Sequence, residues 1–153
     1  MSKLIKLNEN DLRNMIAESV KRILKEERSE EVDNEIVNLI SFLHNAQKPV
    51  REIHWNTKEY GHHMVTDEAI ENLAEWEDSL AETFISDRDV DLKINEEKPT
   101  SNDDFKTIMK ELYDLAGSVK EKISDKKEYD NICAVVDEIL ETTNQLLYKS
   151  ELK

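Results

Sequence analysis

Apolar residues return every three or four positions along almost the whole chain, which is the period of helices with one buried face. The first stretch carries Leu12, Met15, Ile16, Val20, Ile23 and Leu24, with Asn8 and Asn10 as candidate N-caps. It is expected to end near Glu27, in the charged run "KEERSEE". A second stretch follows through Val32, Ile36, Leu39, Ile40, Leu43, Ala46, Val50 and Ile53. Pro49 falls inside it, so a kink is expected near Asn45–Lys48, because a helix-interior proline loses one hydrogen bond.

Asn56 to Gly61 reads as a turn, and the next helix is expected over roughly Val65 to Ile85, with Ala69, Leu73, Trp76, Leu80 and Phe84 inward. Residues 86–101 lose the helical period and contain Pro99, so they read as a crossover. Ser101 or Asn102 is the expected cap of a helix through Phe105, Ile108, Leu112, Leu115, Val119 and Ile123. After a turn at "SDKKE", Ile132, Val135, Val136, Ile139, Thr143 and Leu146 mark the last helix. The reading is all-α: an N-terminal amphipathic arm over 1–28, then a four-helix bundle over 29–153 with its longest link between the second and third core helices.

Composition narrows this further. The chain has 153 residues but only two glycines and two prolines, too few for the corners of a strand-and-turn protein. Its net charge is −14. Residues 1–28 hold seven Lys/Arg against five Asp/Glu, which leaves about −16 on the remainder. Such a body repels nucleic acid and collects cations. One cysteine, Cys133, excludes an intrachain disulfide, and on an apolar helix face it is expected to serve packing. No apolar run is long enough to span a membrane, and the N-terminus lacks a signal-peptide core, so the expected setting is the cytoplasm.

Several chemistries can be set aside. Two glycines cannot build a phosphate-cradling loop. The string Asp87, Asp89, Asp91 begins like a calcium loop, but Leu92 stands where such a loop needs glycine and Lys98 where it needs glutamate. Only one Glu-x-x-His motif occurs, Glu59 to His62, and it falls in the expected turn, so a ferritin-style intrachain di-iron centre is not expected.

What remains is a set of imidazoles and carboxylates. Three of the four histidines lie within "HWNTKEYGHHMVTDE". His63 and Asp67 are four residues apart and share a helix face; Asp78 and Glu82 repeat that spacing. Imidazole with carboxylate suits iron, manganese or zinc. From Asp67 to Asp78, however, is about 16 Å of helix, so one chain cannot close both pairs on one ion. Two antiparallel helices from different chains could, making two identical sites across a two-fold axis, with His54 as a further ligand. The alternative is that both pairs are ordinary surface charges, common in so acidic a chain, with Asp67 favouring a helix N-terminus.

These residues resemble the Dps-type miniferritins, the DNA-binding proteins from starved cells. The resemblance rests on "HWN" at 54–56, "HHMVTD" at 62–67 and "DSLAE" at 78–82, preceded by the helix "EIVNLISFLHNAQKPVREIHWN". It implies a ferritin-like bundle and a ferroxidase centre shared between subunits: His54, His63 and Asp67 from one, Asp78 and Glu82 from its mate. Trp55 would lie beside the iron and intercept oxidising equivalents. It further implies Fe(II) oxidation with peroxide or O2, ferric storage in a dodecameric cage, and self-association as the main partnership. The family's small crossover helix has no counterpart in the pattern of 86–101. The arm, "KLIKLNENDLRNMIAESVKRILKEE", looks like a leader carried by varied proteins of tailed phages. That implies a virion or host-cytoplasm setting and a docking role on a partner protein. The alternative function is a non-catalytic helical interaction or virion protein retaining the fold.

Overall fold

A computed structural model describes residues 6–96 and 104–152. Four α-helices account for most of them: α1 (Glu9–Asn56), α2 (Tyr60–Arg88), α3 (Phe105–Ile123) and α4 (Asp130–Glu151). A single 3-10 turn, Lys127–Tyr129, precedes α4, and no strand occurs among the described residues. The chain divides into two compact units, Met1–Asp33 and Asn34–Lys153.

In the first unit, Asn8 caps α1. Its side-chain oxygen accepts from the Asp11 amide at 2.8 Å, and the Asp11 carboxylate accepts from the Asn8 amide at 3.3 Å. This reciprocal pair satisfies two of the orphan donors at a helix start. The helix does not stop near Glu27 as the charge run suggested. "KEERSEE" holds neither glycine nor proline, and its Glu, Lys and Arg are good helix formers, so nothing there breaks the helix. Leu12, Met15, Ile16, Val20, Ile23 and Leu24 are all exposed.

The second unit is a four-helix bundle. Its core is Ile36, Leu39, Leu43, Ala46 and Val50 of α1, Ala69, Leu73, Trp76, Leu80 and Phe84 of α2, and their counterparts on α3 and α4. The inward faces expected from the period hold, except that Ile53, Leu115 and Val135 are only half-buried. Met109 and Tyr129, absent from the expected faces, are fully buried. The helix passes through Pro49 with helical residues on both sides. Ala46 and Val50, completely buried on either side of the proline, hold that turn in place by packing.

Cross-helix pairs define the arrangement. His44 and Gln47 on α1 meet Glu77 on α2, and Glu68 and Asp87 on α2 meet Lys149 and Asn131 on α4. Lys106 and Lys120 on α3 meet Glu151 and Asp137 on α4, while Lys122 on α3 pairs with Glu35 on α1. The order around the bundle is therefore α1–α2–α4–α3, every neighbouring pair is antiparallel, and α2 and α3 lie parallel on a diagonal.

A parallel pair in sequence order requires a connection running the length of the bundle, and the segment after Arg88 is that connection. α2 closes on Asp89, whose left-handed backbone (φ 50°) lets its amide bond to Ile85 O at 2.9 Å. Among the described residues of the crossover, Asn95 ties it to α1. Asn95 donates its amide to Ser41 Oγ at 2.9 Å and its side chain to Asn38 Oδ1 at 2.9 Å, and its carbonyl accepts from the Asn45 side chain at 3.0 Å. Asn38, Ser41 and Asn45 form a polar stripe at successive turns of α1. Ser101, Asn102 and Pro99 lie outside the described residues. The cap of α3 is Asp104, whose carboxylate accepts from both the Thr107 amide and its hydroxyl, each at 2.9 Å.

Candidate metal half-site

The site sits where α1 turns into α2. Only Thr57–Glu59 separate the helices, so α2 starts five residues before the expected Val65 and the turn is half its expected length. His62 and His63 consequently belong to the first turn of α2 rather than to a loop, and Glu59 is its N-cap residue, without a side-chain cap bond. The helix is sustained that far by its fourth-residue bonds, His63 N–H to Glu59 O at 2.9 Å being the first, and by burial of Val65 and Thr66 one turn on.

His54, near the end of α1, and His63 stack with ring centroids 3.9 Å apart and planes 25° from parallel. Each ring faces the other's backbone: His54 Nδ1 lies 3.1 Å from His63 O, and His63 Nδ1 lies 3.3 Å from His54 O. A carbonyl only accepts, so in these contacts each Nδ1 is the donor, which leaves each Nε2 as the ring nitrogen available to a ligand. Thr66 reinforces this. Its hydroxyl donates to His62 O at 2.9 Å or His63 O at 3.0 Å, and accepts from His54 Nδ1 at 3.0 Å. Thr66 is fully buried and was not among the residues singled out from sequence. A buried β-branched residue three positions after a histidine is the only signal that points to it.

His54 Nε2 faces Asp67 Oδ1 at 3.9 Å; the imidazole is 13% exposed and the carboxylate 57%. The structure thus brings together His54, His63 and Asp67. Asp78 and Glu82 are exposed further along α2 and do not join them. Since α2 is helical throughout, Asp67 and Asp78 are separated by about 16 Å, as the spacing required. Among the described residues no group of three His, Cys, Asp or Glu side chains is arranged to hold an ion. A metal bonds in the plane of an imidazole, so near-parallel stacked rings do not converge on one ion until one of them turns.

The other single residues sort themselves by contact. Trp55 is 72% exposed. His62 packs edge-on against Phe105 of α3 at 5.8 Å, which gives it a packing role. His44, not singled out from the sequence, meets Glu77 Oε1 at 2.5 Å. Cys133 is only half-buried and accepts from Lys120 Nζ at 3.0 Å, so its surroundings are more polar than its apolar neighbours in sequence suggested. Lys120 is held above the usual lysine range, first by its bond to Asp137 and then by Cys133.

The exposed side of α2 carries one more pattern. His63, Asp67, Glu71, Glu75, Asp78 and Glu82 fall three or four residues apart and all are exposed, making an unbroken stripe of one imidazole and five carboxylates. Beside its beginning, a groove of about 440 Å³ is lined by Met64, Asp67, Glu68, Glu71, Lys149 and Leu152, among others.

No helix among the described residues is long and apolar enough to cross a membrane. No curated protein and no solved structure matches the chain. Residues 54–150, a span that begins on His54 and takes in all five candidate ligands, match a family of unknown function, DUF5856, and the chain belongs to that family.

Proposed function

We propose that this protein is a miniferritin-like iron protein that binds Fe(II) as substrate between two copies, oxidises it with peroxide or O2, and retains the ferric product. The observation that carries this reading is the reciprocal His54–His63 lock. Metal-binding histidines characteristically give their second nitrogen to a carbonyl or hydroxyl, which orients the ring and fixes the tautomer. Here both do so, and Asp67 stands beside them. The single long crossover between the second and third core helices is the connectivity of ferritin-like bundles, which supports the same reading.

In this scheme one copy supplies His54, His63 and Asp67 and its mate supplies Asp78 and Glu82, in two equivalent sites related by a two-fold axis. The carboxylates stabilise the more highly charged ferric ion. With peroxide, two Fe(II) each give one electron, the O–O bond breaks, and two protons complete two waters. Trp55, exposed in the single chain, is assigned the interception of stray oxidising equivalents. Further carboxylates of the acidic body hold ferric product, in a cage or a smaller assembly. Zinc or manganese fits the same donors. The setting is the cytoplasm, or a virion if the gene belongs to a phage, and nucleic acid is not a ligand of so acidic a body.

The test is aerobic Fe(II) with added peroxide. The wild type gives ferric absorbance at a rate well above buffer, and His54→Ala or Asp78→Ala abolishes the excess. A wild type no faster than albumin overturns the reading. The second reading, a non-catalytic interaction protein with this fold, draws on the exposed apolar face of the arm. It expects the metal residues to tolerate substitution while changes at Leu12, Ile16 or Ile23 abolish partner binding.

A further inference from the structure

The arm presents six large apolar side chains on one face of a helix, each between 46% and 62% exposed: Leu12, Met15, Ile16, Val20, Ile23 and Leu24. A face of this kind marks an interaction surface. Its charges say which partner fits. Residues 9–16 carry Glu9, Asp11 and Arg13, a net −1; residues 17–25 carry Glu18, Lys21, Arg22 and Lys25, a net +2. A second copy lying parallel sets positive half on positive half. A second copy lying antiparallel sets each half on its opposite.

The register follows from two residues. Asp11 and Arg22 are eleven positions apart, about three turns, so they lie on the same edge of the apolar stripe. They are equally distant from the midpoint between Ile16 and Ala17. A two-fold axis through that midpoint brings Asp11 against the partner's Arg22, and Arg22 against the partner's Asp11. Ile16, the most exposed of the six, lies beside the axis, with Leu12 and Ile23 to either side. Antiparallel packing also opposes the helix dipoles.

We infer that the arm is a homodimerisation element that pairs with the arm of a second copy in antiparallel register about Ile16–Ala17. This surface is independent of the half-site: it uses no metal ligand and works whether or not the protein oxidises iron.

The test is disulfide trapping in full-length Cys133→Ser protein. Asp11→Cys and Arg22→Cys variants are oxidised separately and as a mixture. The expected result is a cross-linked dimer in the mixture, at least ten times more abundant than in either variant alone, and reduced to background when both carry Ile16→Asp. Cross-linking of each variant with itself, or none in the mixture, overturns the inference. Flotation of the wild-type chain with anionic phosphatidylserine vesicles, lost with Ile16→Asp, overturns it in favour of a lipid surface. Circular dichroism of Ile16→Asp confirms that the chain still folds. Iron oxidation by Ile16→Asp stays at the wild-type level if both readings stand, so the two fail separately.

Discussion

Thr66 and Thr143 are both fully buried on the inward faces of their helices, yet only Thr66 has partners for its hydroxyl. Thr66 relays between His54 Nδ1 and the carbonyls of the first turn of α2, whereas Thr143 Oγ1 has none. The same substitution therefore has opposite consequences. Thr143→Val removes a polar atom that gains nothing and replaces it with a methyl group of similar size, which raises stability by about 1 kcal/mol in urea unfolding. Thr66→Val leaves His54 with one partner fewer and lowers affinity for Zn(II) or anaerobic Fe(II) about tenfold or more, read by calorimetric titration. An unchanged affinity would remove Thr66 from the proposed site. The helical period alone could not have separated the two, because both threonines sit at core positions. That His54, His63 and Asp67 lie near one another was legible, because His63 and Asp67 share a helix face and His54 closes the helix before them. The stacking of the rings and their hold on each other's carbonyls were not, since both depend on a turn of three residues that the pattern reads as six.

At the scale of elements, helix starts proved less legible than helix faces. The inward faces follow from period alone, because a 3.6-residue repeat projects in only one direction. Starts depend on single capping side chains, and a run rich in Ser, Asn and Asp offers several. α3 selects Asp104, whose carboxyl is held below the usual range, first by the Thr107 amide and next by the Thr107 hydroxyl. A depressed carboxyl contributes stability above its unfolded pKa, and that contribution is lost as pH falls through its folded value. Glu151 is depressed likewise by its bond to Lys106, at the same end of the bundle. The expected outcome is that Asp104→Ala lowers the melting temperature at pH 7, and by less at acid pH once the Asp104 carboxyl of the folded wild type is protonated. Equal destabilisation at both pH values would mean that Asp104 acts by packing. The continuous course of α1 through "KEERSEE" belongs to the same lesson: charge density resembles a linker in sequence, but charge alone does not end a helix.

For the whole molecule, the stripe from His63 to Glu82 bears on the proposed pairing of two copies. In the proposed pairing, two such stripes face each other and place Glu71 and Glu75 of both copies near the axis. Like charges so close oppose association unless cations lie between them. The bundle-to-bundle contact is therefore expected to depend on metal. In native mass measurements on the Ile16→Asp chain, which isolates this contact, the protein is monomeric in chelator and dimeric with Zn(II) or Fe(II). A metal-independent mass would separate assembly from metal binding.

The two histidines are nine residues apart on a hairpin with a three-residue turn, so closing them together costs little chain entropy. A chain that has lost its bundle but still visits this hairpin keeps both imidazoles within reach of an ion. If the proposed site holds metal, the denatured ensemble then binds it as well as the native state, and only the difference between the two affinities stabilises the fold. A tight site at this hairpin would accordingly raise the melting temperature by less than its dissociation constant implies.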